Sequence, residues 1–195
     1  MTEEKNGITF HAKTRTSWRK WLLKNHQKEK SVWLIIYKKS SETKSVYYPE
    51  AVDEALCFGW IDSKGNKRDD ESYYQFFSKR NPKSKWSKVN KEKVKKLLKE
   101  KLIMPAGMEI IALAKKSGTW DALNEVDKLT LPDELQTAFK KNKTAFKYWG
   151  QFPPSTKRGI LEWILNAKKP ATKEKRIKHT VALAVKNIRA NHPKK

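Results

Sequence analysis

Apolar and polar positions follow two different rhythms along this chain. Up to about residue 120, helical spacing alternates with short runs rich in β-branched and aromatic residues. Ser17 to His26 reads as a helix with Thr14 or Thr16 as its N-cap and Trp18, Trp21, Leu22 and Asn25 along one side. Ser31 to Lys38 has the composition of a buried strand, and Lys44 to Tyr48 predicts a second, shorter one after the Ser40-Ser41 turn. Pro49 suits the first position of a helix, and Glu50, Asp53 and Glu54 follow it near the positive end of the dipole. Gly59 stops that helix. Trp60 to Ser63 and Tyr73 to Ser78 predict paired strands joined by a polar loop around Gly65-Asn66. Ser87 to Lys101 and Ala106 to Lys116 then predict two helices, with Glu92 and Lys96 as an i,i+4 pair on the first, Gly118 closing the second and Trp120 folding back onto it.

Past residue 120 the rhythm is helical alone. Residues 121–132 are acidic and polar and read as a linker ending in Leu131-Pro132. Helices are predicted to open at Pro132-Asp133, Thr144, Ser155 and Thr172. The third carries Ile160, Trp163, Ile164 and Ala167 at i, i+3, i+4 and i+7, and the last carries Ile177, Val181, Ala184, Val185 and Ile188. The fold class expected is therefore α+β. An N-terminal domain (8–120) has a small, mostly antiparallel sheet with flanking helices, and an all-helical module (130–191) follows it. Residues 1–9 are polar and predicted to fray.

Composition narrows the function classes. The formal net charge is +23, yet 37% of residues are hydrophobic and eight are Trp, which is the make-up of a folding chain. Only seven of the 44 basic residues are Arg. An excess carried by Lys attracts polyanions without the bidentate fork that reads bases. It is also spread out, +13 before residue 121 and +10 after it, with no single patch evident. One cysteine fits a reducing compartment, and Val32 to Tyr37, the longest apolar run, falls far short of the roughly 20 residues a bilayer requires. A cytoplasmic protein without membrane insertion is expected.

Candidate chemistry is sparse. The four histidines (11, 26, 179, 192) and Cys57 have no metal-ligand spacing, and no glycine-rich phosphate loop exists. No metal or cofactor is expected. Cys57, in the last turn of its helix between Leu56 and Phe58, reads as a packed and inert thiol. The aromatic run Tyr73 to Phe77 ends in Lys79-Arg80; it could stack on single-stranded bases, but an ordinary strand burying one face is the simpler reading. Within the carboxylate cluster, Asp62 lies on the same side of its strand as Trp60, where it could meet Lys38 or Arg80. The cluster reads either as helix-end pairing plus a structural salt bridge, or as a polar pocket lined by Tyr48, Trp60 and Trp86 with an acid inside.

Three blocks carry a resemblance. Val52 to Ser63, Arg80 to Lys91 (Arg-Asn-Pro-Lys-Ser-Lys-Trp-Ser-Lys-Val-Asn-Lys) and Met104-Pro105-Ala106-Gly107 resemble the YdeI/OmpD-associated, or bacteriocin-protection, family. From Pro132 to Ile188, Leu161-Glu162-Trp163-Ile164 and Ala167-Lys168-Lys169-Pro170 look like its helical OmdA-type module. Where that family's strand reads close to Gln-Arg-Phe-Thr-Pro-Arg, this chain has Gln75-Phe76-Phe77-Ser78-Lys79-Arg80, so a ligand role for the first Arg does not carry over. The resemblance implies antimicrobial-peptide resistance and no particular reaction. The expected function is thus non-catalytic, in stress or bacteriocin resistance, with an unidentified protein partner or small ligand bound near Lys38, Tyr48, Glu50, Asp53, Trp60, Asp62, Arg80 and Trp86. Two alternatives stay open: non-specific nucleic-acid binding through the basic faces of Lys88–Lys101 and Lys173–Arg189, and an enzyme with Glu50, Asp53 or Asp62 as general base.

Overall fold

The structure, a computed structural model, describes residues 7–191; His192 and residues 1–6 lie outside them. The chain divides at Asp121/Ala122 into two compact units, each with its own apolar core.

The N-terminal unit holds a four-stranded sheet of order β1-β2-β4-β3, comprising β1 (Thr9–His11), β2 (Ser31–Tyr37), β3 (Trp60–Lys67) and β4 (Ser72–Lys79). β2 and β3 each pair antiparallel with β4, and β1 pairs parallel with β2, so the sheet is mostly antiparallel. β1 falls partly in the stretch expected to fray; Thr9 opposite Trp33 starts its ladder. Helix α1 (Arg15–Asn25) begins at Thr14, whose hydroxyl accepts from the Ser17 N–H (3.1 Å) while the Ser17 hydroxyl accepts from the Thr14 N–H (3.0 Å). The expected strand over Lys44–Tyr48 does not form. One hydrogen bond ties Val46 N–H to the Ala12 carbonyl (2.9 Å), and Tyr48 already belongs to helix α2 (Tyr48–Cys57).

Alternation along the strands sorts the two faces of the sheet. Val32, Leu34 and Ile36 join Phe77 and Trp60 in the core beneath α1 and α2, and the Trp18 indole N–H donates to the Ala51 carbonyl (3.0 Å), pinning one helix to the other. The remaining helices of this unit are α3 (Lys88–Lys99), capped by Ser87, and α4 (Pro105–Lys116). On α3, Glu92 pairs with Lys88 rather than Lys96; Lys96 reaches Glu100 instead. Gly59, at φ +72°, ends α2 in the left-handed conformation. Gly107 is demanded by proximity: a Cβ there would stand 2.4 Å from the Cys57 carbonyl oxygen, because α4 starts directly against the end of α2.

The C-terminal unit is helical: α5 (Asn124–Asp127), α6 (Asp133–Lys140), α7 (Lys143–Gln151), α8 (Pro154–Leu165) and α9 (Pro170–Ala184). Residues 122–131 are part of it rather than a linker. Leu123 and Val126 are buried in its core, and Asp127 pairs with Arg158 at 2.9 Å. The expected apolar stripe of the last helix runs too far: α9 stops at Ala184, Val185 and Ile188 are exposed, and Thr180 takes an inward position, its hydroxyl donating to the Arg176 carbonyl (2.8 Å). Among the described residues no helix is long and apolar enough to cross a membrane.

Candidate functional site

The eight residues singled out from sequence separate into four places. Glu50 sits at the start of α2 and accepts from the Tyr47 N–H (3.4 Å), a cap. Asp53, one turn on, is clasped by the Lys93 ammonium of α3 at 2.5 Å. Lys38 lies beyond the end of β2, exposed, in a different hollow from the rest. Tyr48, Asp62, Trp60, Arg80 and Trp86 cluster around the strand that leaves Gly59.

Asp62 does not meet Lys38 or Arg80. Its carboxylate accepts from the Tyr48 hydroxyl at 2.6 Å. Burial, and then this bond to a carboxylate, push the Tyr48 phenol well above its usual range, so Tyr48 stays the donor. Of the three carboxylates considered as bases, Asp53 and Asp62 are engaged by neighbouring side chains and Glu50 caps a helix. Glu54, the fourth acid of the cluster, is buried and bridged by Arg15 Nε and Arg19 Nη1, each at 2.6 Å. That triad was not legible in the sequence, where Arg15 and Arg19 lie some forty residues away. Cys57 is fully buried, and burial pushes its thiol up to about 11, as befits a packing residue.

Arg80 is the group without a conventional explanation. It is 5% exposed, its guanidinium carbon stands 3.7 Å from the centre of the Trp86 ring, and Nη2 donates to the Lys85 carbonyl (2.8 Å). Among the described residues Nε and Nη1 are buried with no hydrogen-bond partner. The Arg80 N–H donates to the Gly59 carbonyl (2.9 Å), which fixes the residue beside the glycine turn. Burial lowers its pKa to about 10, against the opposing pull of the Asp62 charge. A buried cation usually has a carboxylate partner; this one has an aromatic face and one carbonyl.

Beside it opens a cleft of about 460 Å³, lined by Gly59, Trp60, Lys79, Arg80, His26 and Glu109 among others. The indole N–H of Trp60 donates to the His26 carbonyl (3.3 Å) and so holds one wall. The Nδ1 of His26 is 2.9 Å from the Leu22 carbonyl, an atom that only accepts, so Nδ1 carries the proton and Nε2 offers a lone pair when the ring is neutral. Lys79 reaches across to the Gln27 carbonyl (2.7 Å). Sequence reasoning saw Lys79 only as part of the basic end of the aromatic run and did not join His26 or Glu109 to it, since nothing in their spacing connects three separate segments.

The opposite face of the sheet bears on nucleic-acid binding. Trp33 and Phe76 meet edge to face (4.7 Å between centroids), Tyr74 adjoins Trp33, and Lys64 and Arg68 lie over these rings. Trp33 is 6% and Tyr74 7% exposed, so these two rings are already covered, while Phe76 is half-buried.

Comparison with known proteins divides the chain much as the cores do. Residues 128–187 match the OmdA family, described as bacteriocin-protection, YdeI or OmpD-associated, and residues 10–110 match a domain of unknown function, DUF8412. The chain belongs to the DUF8412 family and carries an OmdA module. No curated protein and no solved structure matches it. The OmdA name thus attaches to the C-terminal unit, whereas the Gly59-Trp60-Ile61-Asp62-Ser63 block and the Arg80 cleft belong to the DUF8412 portion.

Proposed function

We propose that this protein serves bacteriocin protection as a cytoplasmic binding protein without catalytic chemistry, and that the DUF8412 portion holds a small ligand or partner chain in the cleft beside Trp60. Arg80 is the recognition group in this reading. The observation that carries it is a buried guanidinium with two unpartnered nitrogens beside an open cleft. Leaving such donors unsatisfied is costly, on the order of 1–3 kcal/mol for each group, and proteins keep such arrangements where a ligand repays them. The OmdA match supports the physiological role. Direct trapping of cationic peptides suits the chain poorly, because its own net charge is +23. The ligand expected is neutral or anionic, with an acceptor facing the guanidinium.

Arg80→Met tests this. The substitution keeps bulk against Trp86 and removes the buried charge. In a strain lacking the native gene, a plasmid copy of the Met variant should leave bacteriocin susceptibility at the level of the empty plasmid, while the purified variant melts no lower than the wild type. Full protection by the folded variant would refute the assignment.

A further inference from the structure

We infer that the loop between β2 and α2 forms a binding site for a compact, multiply phosphorylated anion. Four lysines from separate stretches of chain, Lys13, Lys38, Lys39 and Lys44, line one hollow of about 260 Å³. Lys13 comes from the segment between β1 and α1, and the others from the residues after β2, so no charge run in the sequence announces the group. Glu42 is, among the described residues, the sole acid lining the hollow. Among the described residues Lys13, Lys38, Lys39 and Lys44 form no ion pair, and the nearby Asp70 is taken by Lys67 at 2.7 Å.

The site is held in shape. His11 Nε2 lies 3.0 Å from the Lys44 carbonyl, the Val46 N–H reaches Ala12, and the Ser41 hydroxyl donates to Glu71 (3.2 Å). Its aromatic walls are biased toward positive charge. Lys39 sits over the Tyr47 ring (5.3 Å), and Tyr37 accepts from Arg68 through its hydroxyl (3.1 Å). Lysine ammonium groups are compact point charges with three donors each, suited to several phosphate oxygens at once and unable to clamp a single planar carboxylate bidentately. Four of them around one half-open hollow, rather than along a track, favour clustered phosphates on a small molecule over a nucleic-acid backbone.

Titration calorimetry of the full chain with tripolyphosphate at physiological salt tests the assignment, with orthophosphate and a single-stranded oligonucleotide as parallel titrants. Two triple variants remove equal charge from exposed positions: Lys13→Gln/Lys39→Gln/Lys44→Gln, and, as a control on α3 and α4, Lys95→Gln/Lys99→Gln/Lys116→Gln. Tripolyphosphate should bind more tightly than orthophosphate, and the hollow variant should weaken it by about tenfold or more, with the control within about twofold. Equal weakening by both variants, or no tripolyphosphate binding, overturns the site; so does an oligonucleotide preferred to tripolyphosphate and indifferent to which lysines are removed.

Discussion

At the scale of single residues, the chain separates groups whose environment explains them from one whose environment does not. Cys57 belongs to the first kind. Its thiol rises from 9.0 to about 11 through burial, with the Glu54 charge adding to the rise. The folded protein therefore holds this proton more tightly than the unfolded chain does. The resulting stabilisation is complete below pH 9 and is lost as pH rises through about 11, amounting to roughly 2–3 kcal/mol at most. Urea melts of wild type and Cys57→Ala should show the wild type falling more steeply between pH 9 and 11; parallel curves would contradict the burial argument. Arg80 is of the second kind. Its replacement by Met is expected to leave the melting temperature equal or higher, since a desolvated cation with too few partners gives way to apolar packing. A melt lowered by several degrees would make Arg80 a structural residue instead.

At the scale of elements, α2 and α4 meet through a close backbone approach. The Met104 N–H donates to the Cys57 carbonyl (2.9 Å), and Gly107 passes over that same oxygen. Gly107→Ala would gain helix propensity, but the Cβ meets backbone that has no rotamer by which to yield. A net loss of about 2–3 kcal/mol is expected by chemical denaturation, and an unchanged midpoint would show that the helices can separate at little cost. The elements themselves were largely readable. Trp18 and Leu22 announced α1 by period and Ser87 announced α3 as a cap, whereas Met104-Pro105, read as the end of α3, proves to open α4. What could not be read was tertiary. Lys44–Tyr48 has strand composition, yet its ladder partner is a single carbonyl of Ala12. The acidic and polar residues 121–132 look like a linker because Leu123 and Val126, the two residues that bury, are too few to set a period. The cleft was half legible. Trp60 and Arg80 lie in recognisable blocks, whereas His26 and Glu109 reach the same cleft only through the fold.

At the scale of the whole molecule, two cores lie in one chain, one gathered on Trp18, Trp60, Phe77 and Trp86, the other on Leu135, Phe139, Trp149 and Ile164. Ordering about seventy residues requires a core of their own, and residues 122–191 have one. Expressed alone, they should give a helical circular-dichroism spectrum with a cooperative melt; a non-cooperative transition would show that the OmdA module depends on the preceding unit. The distribution of charge points the same way, since both halves are basic and neither relies on the other for neutrality.

The meeting of Gly59 with α4 has a consequence for ancestry as well as for stability. A Cβ at Gly59 would come within 3.0 Å of the Ala106 carbonyl oxygen, just as one at Gly107 would strike Cys57. Two signatures almost fifty residues apart are therefore a single footprint. In an aligned set of homologues, a chain that has lost one glycine should also have lost its counterpart or repositioned the second helix.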